Sequence, residues 1–186
     1  MEQTILYFET PGRDNTDATL QAARRRAQEL GITQVVVASS HGYTAKRTHA
    51  AFAGLDVRII AVPISASFQD VGWTMTPAER QAIEELGIEV CMTLHALGDD
   101  VADAFGAVSP SRIVRETLYR FGQGMKVAVE VAIMAAEAGL LDTSREAIAI
   151  AGTDEGADTA LVIKPACARK FKELQILEIL AKPRRP

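Results

Sequence analysis

The chain has 186 residues, of which 48% are hydrophobic and 24% are charged, and this composition indicates a folded globular protein rather than a disordered one. The net charge of −4 excludes a general affinity for nucleic acid, and the most apolar stretch, Val127 to Leu141, is too short to span a membrane and contains Glu130 and Glu137. Cys91 and Cys167 match no metal or redox spacing, and no secretory signal pattern opens the chain. We therefore expect a cytoplasmic protein without a nucleic-acid or membrane partner.

Strand and helix signals alternate along the chain. Asn15 or Thr16 can cap a first helix that Gly31 ends, and the triplet Arg24 to Arg26 on that helix is predicted to be a solvated face. The predicted strands are short apolar runs, and they comprise Thr4 to Phe8, Val35 to Ala38, Val57 to Val62, Ile88 to Thr93, Ala147 to Ala151, Ala160 to Lys164 and Leu174 to Ala181.

The later helices are marked by their caps. Thr44 is predicted to cap the second helix, and Gly54 is predicted to end it. Thr76 to Glu79 forms a capping box with proline at the first helical position, and Ser109 opens another helix. The stretch from Met125 to Ala138 is apolar almost all round, so we expect this helix to be deeply buried.

This alternation predicts an α/β sandwich around a largely parallel sheet. The two strands joined by Gly152 to Thr159 lie too close in sequence for a helical crossover, so they should pair antiparallel and make the sheet mixed. No internal repeat, low-complexity segment or linker interrupts the pattern. We therefore expect residues 1–186 to form a single domain.

The stretch VVVASSHGYTAK, from Val35 to Lys46, is typical of a strand, a tight turn and a helix start. Its turn contains Ser39, Ser40, Gly42 and Thr44. These residues offer hydroxyls and backbone N–H groups at a helix N-terminus, where a phosphate can be held. A Ser/Gly turn at this place can equally serve only to cap the helix.

Ligands of open α/β sheets bind beyond the carboxyl ends of the parallel strands. Four segments rich in small and polar residues are predicted to meet there, namely Gly12 to Thr16, Ser39 to Thr44, Pro63 to Thr76 and Gly152 to Thr159. Such residues let the backbone approach a ligand and donate hydrogen bonds to it, so their convergence favours a phosphate-bearing ligand. The chain contains no dinucleotide fingerprint, no P-loop and no metal-binding spacing.

Lys126 and Glu130 are unusual because they sit one turn apart on the otherwise apolar helix. A lysine in the first turn opposes the helix dipole, and lysine before glutamate is the poorer order for such a pair. One interpretation is that Lys126 meets an anionic ligand near Gly122 and Gly124 while Glu130 holds it. The other is a satisfied, partly buried ion pair.

Several further side chains could reach the same edge of the sheet. His41 and His95 have no partner in a recognisable catalytic triad. Trp73, in the long segment Pro63 to Thr76, can stack on a flat ring system or cover a core. Asp158 can serve acid–base chemistry or cap its own turn.

The chain resembles the C-terminal α/β domain of pyruvate kinase in two blocks, VVVASSHGYTAK (Val35 to Lys46) and IAIAGTDEGADTALVI (Ile148 to Ile163). It is more similar still to the stand-alone archaeal and bacterial proteins built on that domain, in YFETPGRDNTDATL (Tyr7 to Leu20) and GQGMKVAVEVAIMAAEAG (Gly122 to Gly139). The resemblance implies a three-layer α/β/α fold with a five-stranded mixed core sheet, one strand of which is antiparallel. A barrel domain alone needs about 250 residues, so kinase chemistry is not implied.

The resemblance also implies a ligand. In pyruvate kinase the Ser/Thr/Gly turn holds a sugar-phosphate effector and the later glycine-rich turn closes over it, and the stand-alone members are associated with bound FMN. We therefore expect FMN as the cofactor. The predicted binding residues come from these turns, from the first loop and from the apolar helix, and they are Gly12, Asn15, Ser39, Ser40, Gly42, Thr44, Lys126, Gly152, Thr153, Gly156, Ala157, Asp158 and Thr159.

Three functions stay open on this reasoning. The first is a binding protein for FMN or a similar phosphorylated ligand. The second is a flavin-dependent oxidoreductase with His95 or Lys126 as proton donor, and the third is a regulatory module that binds a sugar phosphate. Apolar surface on the helices would favour a homo-oligomer.

Overall fold

The apolar runs of the sequence form one mixed sheet. In the computed structural model, which describes residues 2–98 and 100–185, the sheet has seven strands. These are β1 (Leu6–Phe8), β2 (Gln34–Ala38), β3 (Arg58–Val62), β4 (Glu89–Val90), β5 (Ala147–Ala151), β6 (Thr159–Lys164) and β7 (Gln175–Pro183). The ends of the predicted domain, Met1 and Pro186, lie outside the described residues.

The strands are ordered β1-β7-β6-β5-β2-β3-β4 across the sheet. Strand β6 runs antiparallel to both of its neighbours, β5 and β7, and the other neighbouring pairs are parallel. The short connection between Ala151 and Thr159 leaves no room for a crossover, which confirms the predicted antiparallel pairing. The sheet is therefore mixed and mainly parallel, and it is wider than the five strands that the resemblance implied.

Helices cover both faces of the sheet. Among residues 2–98 and 100–185 the α-helices are α1 (Thr16–Leu30), α2 (Tyr43–Ala51), α3 (Pro77–Glu84), α4 (Asp100–Ala104), α5 (Pro110–Tyr119) and α6 (Gln123–Glu137). Alternate strand residues point to opposite faces of the sheet, and each face has its own hydrophobic cluster. Val36 packs in the cluster that includes α6, whereas Val35 and Val37 pack in the cluster that includes α1, α2 and α3. This arrangement confirms the three-layer α/β/α fold.

The two faces of β5 carry side chains of different size. Its alanines Ala147, Ala149 and Ala151 belong to the cluster with α6, whereas Ile148 and Ile150 belong to the opposite cluster. The α6 side of β5 therefore presents only methyl groups, and the small side chains leave room for a bulky helix. Helix α6 is buried along most of its length, as its all-round apolar sequence predicted.

Three local predictions outside the cleft were wrong, namely the ends of β4 and α2 and the exposure of Arg26. Strand β4 ends at Val90 and not at Thr93, because the chain leaves the sheet towards Leu97, whose amide donates to Glu130. Helix α2 ends at Ala51, ahead of the predicted stop at Gly54.

The third wrong prediction concerns the arginine triplet, which does not form a solvated face throughout. Arg26 is buried, and its guanidinium donates to both carboxylate oxygens of Glu178 on β7, at 2.8 and 2.6 Å. The Arg26 side chain thereby lowers the pKa of Glu178. Nothing in the sequence near Arg26 indicates a carboxylate supplied by a strand about 150 residues later.

Large apolar side chains are exposed in the segment around α4 and α5. They include Leu94 at 65% exposure, Val101 at 70%, Phe105 at 85%, Val108 at 73% and Ile113 at 65%. Such a surface is typical of a protein contact, although a homo-oligomer stays a prediction. No helix in the described part of the chain is both long and apolar enough to cross a lipid bilayer.

The core packing of β5 can be tested with a pair of matched substitutions. Ile148 is 0% exposed at the centre of the sheet, whereas Ile176 on β7 is 39% exposed. We expect Ile148→Ala to lower the free energy of unfolding by about 2–5 kcal/mol, because it leaves a cavity. Ile176→Ala should cost less than about 1 kcal/mol. Urea unfolding followed by circular dichroism measures both, and equal losses would contradict the packing described for β5.

Candidate functional site

The carboxyl ends of β2, β3 and β5 open into a cleft of about 590 Å³. Neighbouring parallel strands place their carboxyl ends side by side, so the four predicted segments meet there. Arg13, Ser40, Phe68 and Gly152 line the cleft, one from each of these segments. Helix α6 contributes a further wall through Lys126 and its neighbours.

The turn between β2 and α2 uses one of its hydroxyls for the helix. The buried Ser39 Oγ accepts a hydrogen bond of 3.1 Å from the amide of Ala45. Gly42, and not Thr44 as predicted, is the residue that precedes the helix, and its φ of 83° lies in the left-handed region that favours glycine. A Cβ atom on Gly42 would also lie 3.1 Å from Cγ2 of Ile83.

The helix cap and the cleft wall are thus built from the same turn. Ser39, Ser40 and Thr44 line the cleft, and Thr44 is buried in the first turn of α2. The first N–H groups of a helix have no acceptor within it, and in α2 Ser39 takes the one from Ala45. The turn therefore supplies the helix cap, which was one of the two alternatives drawn from the sequence, and an anion site at the same turn stays a prediction.

The carboxylate of Asp158 holds the glycine-rich turn in place. Asp158 is 0% exposed, and its Oδ2 accepts from the amides of Gly12 at 2.9 Å and Thr153 at 3.1 Å. Its Oδ1 accepts from the hydroxyl of Thr159 at 2.8 Å. The carboxylate is enclosed by these donors and is a turn cap, which was one of its two predicted roles.

A second contact ties the turn between β5 and β6 to the start of α1. The amide of Ala157 donates to Thr16 Oγ1 at 3.0 Å, and that hydroxyl donates to the carbonyl of Arg13 at 2.6 Å. The left-handed Gly156, with φ of 72°, lies against this contact. A Cβ there would come within 2.4 Å of Thr16 Oγ1 and 2.8 Å of Arg13 Cα, so only glycine fits.

Arg13 is the cleft cation that sequence reasoning did not identify. Its guanidinium carbon lies 4.0 Å from the ring centroid of Tyr43, and its Nη1 lies 3.0 Å from Glu155 Oε2. Arg13 comes from the first loop, Tyr43 from α2 and Glu155 from the turn after β5. The only signal for it was its position inside the predicted segment from Gly12 to Thr16.

Lys126 and Glu130 form a buried ion pair at the α6 wall of the cleft. Their side chains are 9% and 5% exposed, and Lys126 Nζ donates to Glu130 Oε2. The second oxygen of Glu130 accepts from the amide of Leu97 at 2.8 Å. Lys126 Nζ lies 5.8 Å from the ring centroid of Tyr119. Lys126 and Glu130 are therefore a buried ion pair, which both interpretations allow, and a contact between Lys126 and an anionic ligand stays a prediction.

The long segment after β3 forms an aromatic wall. The rings of Phe68 and Trp73 are stacked at 5.8 Å with 9° between their planes, and Phe68 lies 5.6 Å from the ring of His95. His95 Nε2 accepts from the amide of Ser65 at 3.4 Å, so its proton sits on Nδ1. Trp73 is 56% exposed, so it stands at the mouth of the cleft and does not cover the core.

The predicted binding residues fall into two groups. Those that line the cleft are Ser39, Ser40, Thr44, Lys126, Gly152 and Gly156. The others support the walls or lie beside them, and they are Gly12, Asn15, Gly42, Thr153, Ala157, Asp158 and Thr159. Ligand binding by either group stays a prediction. No cluster of His, Cys, Asp and Glu side chains that could hold a metal occurs among residues 2–98 and 100–185.

The chain is similar to known proteins along most of its length. A sequence model of the family described as pyruvate kinase, alpha/beta domain, matches residues 17–163. Among solved structures, the chain is similar to a pyruvate kinase from Cryptosporidium parvum in complex with ADP, at 15% sequence identity and a TM-score of 0.43. That match covers 90% of this chain and 24% of the other, so the chain spans about a quarter of that pyruvate kinase.

The close fit around Gly156 can be tested against a glycine of the same backbone conformation. Gly156 and Gly139 have φ of 72° and 71°, but a Cβ on Gly139 would meet nothing within 4 Å. We expect Gly139→Ala to lower the free energy of unfolding by about 1–2 kcal/mol, because alanine is strained in the left-handed backbone conformation. Gly156→Ala should cost about 1–3 kcal/mol more because of crowding, as measured by urea unfolding. Equal costs would contradict the contact with Thr16.

Proposed function

This chain belongs to the pyruvate kinase alpha/beta domain family, and from that premise we propose that it binds a phosphorylated small molecule, FMN, in the cleft at the carboxyl edge of the sheet. The protein would act in the cytoplasm as a flavin-binding protein. One observation carries the proposal: a hydroxyl-lined helix N-terminus and the stacked pair of Phe68 and Trp73, of which Trp73 is exposed, line the same cleft. The volume of about 590 Å³ is in the range of small-molecule sites.

The N-terminal turn of α2 is suited to the phosphate. Ser40 and Thr44 supply hydroxyl donors, and the positive end of the α2 dipole favours an anion. The Ser39 hydroxyl accepts from Ala45 and keeps its own proton to donate to the ligand. Arg13 and Lys126 add positive charge at the cleft walls. These residues would hold the phosphate.

The wall formed by Phe68 and Trp73 is suited to a flat ring system. The two rings are already nearly parallel, and the exposed Trp73 provides an open aromatic surface at the mouth of the cleft. Aromatic pairs in offset-stacked arrangements contribute about 0.5–1.5 kcal/mol beyond their buried area. Trp73 would therefore lie against the isoalloxazine. When bound, FMN supplies a ring that can carry electrons, while the protein supplies binding and orientation.

The proposed phosphate site predicts a loss of affinity for FMN but not for riboflavin. We expect Ser39→Ala combined with Ser40→Ala to weaken FMN binding by about 10- to 100-fold, because hydrogen bonds to a charged group are removed. Riboflavin, which lacks the phosphate, should bind as before. Fluorescence titration of both flavins measures this difference, and the melting temperature shows whether loss of the α2 cap unfolds the protein.

The matched control is Ser144→Ala. The Ser144 hydroxyl donates to Asp142 Oδ1 at 2.7 Å ahead of the amino end of β5, at the opposite edge of the sheet from the cleft. Ser144→Ala should leave the affinities for FMN and riboflavin unchanged. Full FMN affinity in the double variant would refute the phosphate site, and native mass spectrometry without any flavin on the purified protein would count against FMN itself.

The proposed stacking of the isoalloxazine on Trp73 predicts a loss of affinity that does not depend on the phosphate. Trp73→Leu should weaken FMN and riboflavin equally, by about three- to tenfold, because both ligands lose the same stacking partner. Phe105→Leu removes an aromatic ring at 85% exposure away from the cleft and should change neither affinity. The same titrations measure the effect. A loss confined to FMN would show that Trp73 contacts the phosphate end.

A further inference from the structure

We propose that His41, held by Glu79, makes ligand binding in the cleft proton-linked and selects phosphomonoesters over phosphodiesters. This inference rests on the proposed function, because it concerns the phosphate of the same ligand. His41 lies in the turn between Ser40 and Gly42 and lines the cleft. Its side chain is 46% exposed, so the ring has one side on the protein and another open to the cleft.

Glu79 fixes the His41 ring from the start of α3. Its Oε2 accepts from the Thr76 amide at 2.8 Å and from the Thr76 hydroxyl at 2.9 Å, and it lies 3.2 Å from His41 Nδ1. The contacts with Thr76 are part of the capping box of α3. A helix cap therefore also orients a side chain of the cleft, although the two residues lie 38 positions apart.

The charge state of the Glu79 carboxylate decides which ring nitrogen of His41 carries a proton. The backbone hydrogen bond from Thr76 lowers the pKa of Glu79, so that the carboxylate is ionised at neutral pH. An ionised carboxylate only accepts hydrogen bonds, so His41 Nδ1 must be the donor and must carry a proton. Nε2 is then the ring nitrogen with a lone pair that can take up a second proton.

The other cations of the cleft have their charge opposed before any ligand arrives. Arg13 is paired with Glu155, and Lys126 is paired with Glu130. The charged and titratable groups on the elements around the turn are Arg13, Tyr43, Lys46, Glu79, Lys126, Glu130, Asp154 and Glu155. Histidine is the side chain whose charge ordinarily changes between pH 5 and 8, and His41 and His95 are the two described histidines that line the cleft.

A bound phosphate dianion favours the charged form of a neighbouring imidazole. His41 Nε2 would therefore take one proton from the buffer as the ligand binds and donate it in a hydrogen bond to a phosphate oxygen. No bond of the ligand breaks in this step. A phosphomonoester is close to a dianion at neutral pH. A phosphodiester carries a single charge per phosphate, so it gains less from the imidazolium.

Calorimetric titration with FMN at pH 7.5, in buffers of different ionisation enthalpy, measures the proton uptake. We expect the wild-type protein to take up a large fraction of one proton per FMN. In His41→Gln, which keeps an N–H donor but cannot be charged, the uptake should be lost and FMN should bind about tenfold more weakly.

The control is His49→Gln, on α2 and away from the cleft lining, which should leave the uptake unchanged. The preference for FMN over FAD should fall in His41→Gln. Equal wild-type affinities for the two flavins would overturn the selectivity. FMN binding without His41-dependent proton uptake would overturn this inference and leave the proposed function standing.

Inorganic phosphate serves as a second probe that does not depend on the flavin. His41-dependent proton uptake with phosphate, together with no binding of FMN, would overturn the proposed function and support the inference. Failure of both phosphate and FMN to bind would overturn both.

Discussion

A carboxylate withdrawn from water must be satisfied by hydrogen bonds, and Asp158 is satisfied by donors from two walls of the cleft. The amide of Gly12 comes from the first loop, the amide of Thr153 comes from the turn between β5 and β6, and the hydroxyl of Thr159 comes from the start of β6. Helix α6 approaches closely as well, since a Cβ on Gly124 would lie 2.7 Å from Asp158 Oδ1. One buried carboxylate thus joins the first loop to the turn between β5 and β6, beside the start of α6.

The fold was predictable where local signals and the final environment agree. The short turn from Gly152 to Thr159 permits only an antiparallel pair, and the apolar sequence of α6 permits only a buried helix. The predictions failed where a distant partner decides the outcome. Arg26 is buried because β7 supplies Glu178, and β4 stops at Val90 because the chain turns towards α6.

The same distinction applies to the site. The Ser/Gly turn around Ser40 and the pair of Lys126 and Glu130 on α6 could be found in the sequence, since their residues are adjacent or one helical turn apart. Arg13 was not singled out, and His41 was predicted only to reach this edge of the sheet, because their partners Glu155 and Glu79 meet them only through tertiary packing. No propensity or spacing encodes such contacts. Sequence reasoning therefore located the cleft but not its charge arrangement.

The exposed wall of the cleft has a practical consequence. The chain contains a single tryptophan, and this residue is Trp73, which stands at the cleft mouth at 56% exposure. Its emission is thus a built-in reporter of one location, free of background from other indoles. If FMN stacks on Trp73 as proposed, its electron-accepting ring would quench this emission, and occupancy of the cleft would be read without a label. Backbone circular dichroism reports the sheet independently, so local events at the cleft can be separated from global unfolding in the same sample.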